Sequence, residues 1–102
     1  MVPDRLQQAL AALGHKTRLG VVQAIAAAPD GSATPSAVAD AIGIPRNLLS
    51  AHLLILQRAG LVVGEERGRN RILRLDHRVM TEVGTAVSAL ADRPSPSDTA
   101  TD

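Results

Sequence analysis

Leu6, Leu10 and Leu13 recur at three- and four-residue spacing among polar neighbours, and the pattern stops at Gly14. That spacing predicts a helix over 4–13 with a glycine ending it. From Lys16 to Ala28 the pattern repeats with Leu19, Val22 and Ala26, flanked by Val21 and Ile25, until Pro29-Asp30-Gly31 breaks it. Thr34-Pro35 opens a short third helix: a hydroxyl positioned to cap free N–H groups, then a proline at the first helical position. Val38, Ala41 and Ile42 form its predicted apolar side, and Gly43 ends it.

Ile44-Pro45 restarts the chain into a fourth helix over 45–60, with Leu49, Leu53 and Leu56 as the buried stripe. Leu48, Leu54 and Ile55 widen that stripe beyond what a solvated helix needs. After Gly60 the period changes. Leu61-Val62-Val63 and Ile72-Leu73-Arg74-Leu75 are β-prone runs around a polar, turn-forming stretch, which predicts a hairpin over 62–75 with a charged tip. Asp76 is positioned to cap a fifth helix in which Val79, Met80, Val83, Val87 and Leu90 share a face. Residues 1–91 thus form one domain, and 92–102, without apolar periodicity, are expected to be a disordered tail. The expected architecture is mainly α with a β-hairpin wing, in the order α-α-α-α-β-β-α. This is a winged helix-turn-helix.

The local chemistry between the third and fourth helices suits that reading. Ala39 is small enough to let the two helices approach. Gly43 supplies the backbone freedom of the turn, and Ile44 is the apolar residue that pins the elbow. Charge is also unevenly spread: the chain carries a net +1, yet between Arg46 and Arg74 six arginines face two glutamates, a local excess of +4. Basic charge gathered in one region is the footprint expected of a phosphate-binding face.

These residues resemble the ArsR-type (arsenic and metal regulator) family of winged-helix repressors. The resemblance rests on Ile44, Arg46-Asn47, Ser50-Ala51-His52-Leu53, Leu56 and Ala59-Gly60-Leu61-Val62, with Lys16-Thr17-Arg18-Leu19 at the second helix and Gly68-Arg69 at the wing tip. It implies a dimeric repressor that puts the 45–60 helix into the major groove of double-stranded DNA and the 62–75 wing on flanking DNA. In that frame Arg46 is suited to guanine and Asn47 to adenine, with Ser50 reaching a base or a phosphate. Phosphate positioning is the alternative for all three. His52 is expected to donate to a phosphate, or else to support the helix as a partly buried histidine. Arg67, Arg69, Asn70 and Arg71 are expected to reach the minor groove or the phosphates. Glu65 and Glu66 read equally well as charges that protect an edge strand. Ala51 departs from the family, where many members carry arginine or another long polar residue.

The first and last helices carry aliphatic faces that a core this small does not obviously cover. Leu6, Leu10, Leu13, Val79, Met80, Val83, Val87 and Leu90 are therefore the expected homodimer interface, as the resemblance also implies. Gly84 and Ala86 would let helices approach closely. A twofold dimer would offer recognition helices about 34 Å apart, or a multiple of that, to a palindromic operator.

Composition narrows the remaining choices. Among 102 residues there is no Phe, Tyr or Trp, which removes the stacking platforms of single-strand and RNA binders. No cysteine is present, so thiolate metal sites and thiol switches drop out. The family's metal-sensing positions hold Thr34 and Ser36 on the third helix and Asp76, His77 and Glu82 on the fifth. His15, His52 and His77 look scattered, so no metal or cofactor is expected, and any effector would be a small molecule or a protein. Ser50 and His52 point to different helix faces and make no nucleophile–base pair, so no enzyme is expected. A winged-helix protein-interaction adaptor is the competing reading. No apolar run reaches 18 residues, and the N-terminus lacks the layout of a signal peptide, which gives a cytoplasmic, non-membrane expectation.

Overall fold

The computed structural model describes residues 2–92. The expected tail falls almost wholly on 93–102, outside the described residues. Helix α1 (Asp4–Leu13) buries Leu6, Ala9 and Ala12. At α2 (Lys16–Ala27) the His15 imidazole caps the first turn, its Nδ1 accepting the Thr17 N–H at 3.1 Å. Arg18 reaches back to α1, and its Nε donates to the Ala12 carbonyl at 2.8 Å. That occupies one of the carbonyls a helix C-terminus leaves free.

Strand β1 (Ser32–Ala33) leads into α3 (Pro35–Ile42), where Thr34 Oγ1 accepts the Ala37 N–H at 3.2 Å. The helix stops at Gly43, whose φ of 72° is a left-handed conformation that a Cβ disfavours. Nothing lies within 4 Å of where that Cβ would sit, so the requirement for glycine is conformational rather than steric. Helix α4 (Arg46–Arg58) follows and buries Leu49, Leu53 and Leu56.

Strands β2 (Val62–Arg67) and β3 (Asn70–Leu75) form the wing, from Val62 opposite Leu75 to Arg67 opposite Asn70. Gly68, with φ of 60°, turns the hairpin, and among the described residues no non-glycine residue has positive φ. A glycine first and an ordinary residue second is the type II′ pattern. Val62, Leu73 and Leu75 point inward and Val63 and Arg74 outward, the alternation of a half-buried sheet. Helix α5 (His77–Ala91) begins where Asp76 Oδ1 accepts the N–H groups of Arg78 and Val79 at 3.0 and 3.2 Å. It lies against α1, to which the Arg5–Glu82 ion pair ties it. One aliphatic core, including Val21, Ile25, Leu49, Leu56, Leu61 and Leu73, joins these elements, and no polar or charged side chain is buried among the described residues.

The helix and hairpin order agrees with the expected winged helix-turn-helix, but four details differ. The two-residue β1 was not anticipated. It pairs with β3 across a long stretch of chain, Ser32 opposite Arg74 and Ala33 opposite Leu73, giving a three-stranded sheet ordered β1-β3-β2. On α2 the inward residues are Val21, Val22 and Ile25, while Leu19 and Ala26 face out, because α1 and α4, α3, and the sheet all pack around this helix. On α3, Ala41 is exposed and Ala39 takes the inward place. On α4, Leu48, Leu54 and Ile55 do not join the core: they stand 45%, 46% and 42% exposed.

Candidate nucleic-acid interface

Helix α4 has two unlike sides. Leu49, Leu53 and Leu56 anchor it to the core, and Asn47, Ser50, Ala51, Leu54 and Arg58 are left on the open side. No carboxylate occurs between Arg46 and Arg58. At the N-terminal end, Arg46 Nη1 donates to Ser36 Oγ at 2.6 Å, holding the guanidinium toward the start of α3. The other guanidinium N–H groups remain available as donors. Ser50 Oγ donates to the Arg46 carbonyl one turn back at 3.0 Å, so its proton is engaged while its lone pairs stay open. Asn47 is exposed, with a donor and an acceptor on one planar amide.

His52 behaves differently. Its ring lies 4.9 Å from that of His15, centroid to centroid, and its Nδ1 is enclosed without a hydrogen-bond partner. Burial first, then the nearby charges of His15 and Arg18, hold this imidazole below the usual histidine value. The half-buried ring thus lies in the seam between α4 and the start of α2, beside the His15 cap. The apparent scatter of histidines is also corrected here, since fold closure brings His15 and His52 together. Among the described residues no three His, Asp or Glu side chains converge as metal ligands.

The wing is charged but largely self-compensated. Glu65 Oε1 accepts from Arg67 Nη2 at 3.1 Å and from Arg74 Nε at 3.0 Å, while Glu66 sits 3.5 Å from the Arg71 Nη1. The Arg71 guanidinium lies back over Gly64, where a Cβ would come within 2.6 Å of it. Arg69, at the turn, and Asn70 have no ion pair or side-chain hydrogen bond among the described residues. Of the anticipated tip cations, then, Arg69 is free while Arg67 and Arg71 are engaged. The Ser36 hydroxyl that orients Arg46 was missed as a functional residue. Its place at the start of the helix before the turn, where the resembling family has metal-sensing positions, was the signal for it.

Of the anticipated dimer residues, Leu6 and Val83 are each 6% exposed and belong to this chain's own core. They face inward because α1 and α5 pack on each other within one chain. Leu10, Leu13, Val79 and Met80 are half-buried, and Val87 and Leu90 stand open, Leu90 at 64%.

A model of the helix-turn-helix domain family matches residues 13–65. The chain is 46% identical over 50 residues to the transcriptional repressor SmtB of Mycobacterium tuberculosis, a match covering 48% of this chain and 37% of that repressor. The chain therefore aligns with little more than a third of that relative. Among solved structures, an ArsR-like transcriptional regulator from Rhodococcus sp. RHA1 superposes with a TM-score of 0.75 at 23% identity, over 86% of this chain and 80% of that one. The homodimeric winged helix-turn-helix DNA-binding domain of a possible ArsR-family regulator from Mycobacterium bovis gives 0.69 at 22% identity, over 90% and 83%. These likenesses establish the winged helix-turn-helix fold and agree with the ArsR-type resemblance.

Proposed function

Because the chain belongs to the helix-turn-helix domain family, we propose that it is a dimeric, sequence-specific repressor of transcription that binds double-stranded DNA. Helix α4 enters the major groove, with Arg46, Asn47 and Ser50 at its leading end, and the wing lies on flanking DNA through Arg69 and Asn70. Arg67 and Arg71 add to the wing's charge when phosphates displace their glutamate partners. The observation that carries this reading is the open side of α4: its leading end presents a guanidinium and an amide to solvent, with no carboxylate along the helix. Phosphates meet no like charge there, and base edges meet groups of matching donor and acceptor pattern.

The twofold partner is a second copy joined through α1 and α5. Val87 and Leu90, with the half-buried Leu10, Leu13, Val79 and Met80, form the surface that pairing would cover. The operator is then a palindrome, and the site of action cytoplasmic. Among the described residues no helix is long and apolar enough to cross a membrane. No catalytic step is assigned, since the Ser50 hydroxyl donates to a backbone carbonyl and not to His52.

Fluorescence anisotropy on duplexes selected by the protein from a random pool, against unselected duplex, tests this at several salt concentrations. Binding should favour the selected pool and weaken with salt at a slope of about −0.9 per phosphate contacted. Equal, salt-insensitive retention of both pools rejects the reading and favours a protein-interaction role.

A further inference from the structure

Among the polar residues on the open side of α4 stand two aliphatic ones, Ala51 and Leu54, where a purely electrostatic DNA contact would be polar throughout. Asn47, Ala51 and Leu54 follow one another at four- and three-residue spacing, so they line one exposed ridge, and Leu54 is 46% exposed on it. Arg46 and Arg58 stand at the two ends of the helix. Ala51 and Leu54 make a narrow apolar strip, shaped to pack on a small apolar group rather than to hold a large partner face. Here the rim is cationic and the helix has no carboxylate, so the complementary occupant is anionic at its edges and apolar along its middle.

The major groove of A·T-rich DNA has that character. Phosphates form its walls, and the apolar group that base pairs present on its floor is the thymine C5-methyl. From Asn47 to Leu54 the ridge spans about 10 Å at 1.5 Å per residue, on the order of three base-pair steps. Adenine offers N7 and N6 to a single side-chain amide, the group Asn47 supplies. We infer that α4 reads thymine methyls: Ala51 and Leu54 pack on C5-methyl groups of neighbouring A·T pairs while Asn47 pairs with an adenine in the same half-site. This rests on the DNA-binding reading above and adds to it the composition of the sequence that is read.

Uracil keeps every hydrogen-bonding group of thymine and lacks only the methyl, so it isolates the contact. The probes are duplexes selected by the wild-type protein, synthesised once with thymine and once with uracil in the half-sites, and titrated by anisotropy. Affinity for the uracil duplex should fall about fourfold for each methyl contacted, the worth of burying one such group. Leu54→Ala, at an exposed position that leaves the core intact, should lose affinity for the thymine duplex and narrow the gap to the uracil one. Selective, salt-dependent binding that is equal for the two duplexes overturns this inference and leaves the DNA-binding reading standing. So does a Leu54→Ala variant with an unchanged thymine-to-uracil ratio. Binding no better than to random duplex overturns both.

Discussion

Helix α4 and the β2–β3 wing carry the same formal charge and make different use of it. Between Arg46 and Arg58 two arginines and no acid give +2, and between Val62 and Leu75 four arginines and two glutamates also give +2. On α4 neither guanidinium meets a carboxylate among the described residues, and Arg46 leans on a neutral hydroxyl. On the wing, Arg67, Arg71 and Arg74 all rest on glutamates, leaving Arg69 unpaired among the described residues. Net charge sets the long-range field around both, but short-range donors are what grip a phosphate or a base edge. A helix with few donors, none of them held by a carboxylate among the described residues, is suited to reading. A ribbon with many, mutually satisfied ones is suited to adjustable, largely sequence-blind contact.

Removing the support under α4 should have the largest effect. Leu49 is fully buried, so Leu49→Ala should cost about 2–5 kcal/mol of stability, seen as a lower urea midpoint. Leu54→Ala on the opposite side of the same helix should change stability by less than about 0.5 kcal/mol. Equal costs at the two positions would mean that α4 is not anchored the way its burial indicates. Next comes the open side itself. Asn47→Ala should leave stability unchanged and weaken binding to selected duplex by about 1–3 kcal/mol, with relaxed preference at one base pair in a repeat selection. A uniform loss across all sequences would reassign Asn47 to the phosphates.

On the wing the expected effects are smaller and depend on pairing. Arg69→Ala should lower affinity a few-fold and reduce the magnitude of the salt slope by about 1. Arg67→Ala should do less, because Glu65 already draws on that charge. Glu65→Gln should act in the opposite direction. It frees Arg67 and Arg74 together, and since an exposed ion pair is worth about 0–1 kcal/mol, affinity at low salt should rise by a factor of about two to five. If Arg67→Ala and Arg69→Ala prove indistinguishable, the glutamates do not restrain the wing, and its charge behaves like that of α4.

The parts of this fold that were legible in the sequence are those governed by near neighbours. The Thr34-Pro35 start, the Gly43 stop and the Asp76 cap act within four residues, and each forms the local structure its residue type predicts. Contacts set by chain closure were not legible. Strand β1 exists because Ser32 and Ala33 meet β3 some forty residues later, and two residues carry no alternation to read. Periodicity told which residues of α1 and α5 were apolar, but not that Leu6 and Val83 would be consumed by the contact between those helices. On α4 it counted Leu48, Leu54 and Ile55 with the core, since hydrophobicity alone does not separate a buried stripe from an exposed apolar flank. The wing's ion pairs follow from neighbours along a strand and across the hairpin, and so from a register that composition does not contain.

His52 sharpens the contrast from inside α4, at the least expected size of effect. Its ring packs on His15, which caps α2, with Arg18 close by, and burial together with those two neighbours lowers its affinity for a proton. The unfolded chain titrates near the ordinary histidine value of about 6.5. Between that value and the lower folded one, the unfolded state binds more protons, so stability must decline as pH falls. The contribution is complete above about pH 6.5 and is lost on acidification through the folded pKa. Urea unfolding followed from pH 8 to 5 should show that decline in the wild type and a flatter profile in His52→Asn, which cannot titrate. A ring exposed to the phosphates would instead bind a proton more readily on DNA, so that acidification would tighten the complex. Should wild-type stability stay level to pH 5 while duplex affinity rises, His52 belongs with Asn47 on the open side of the helix rather than in the seam between α4 and α2.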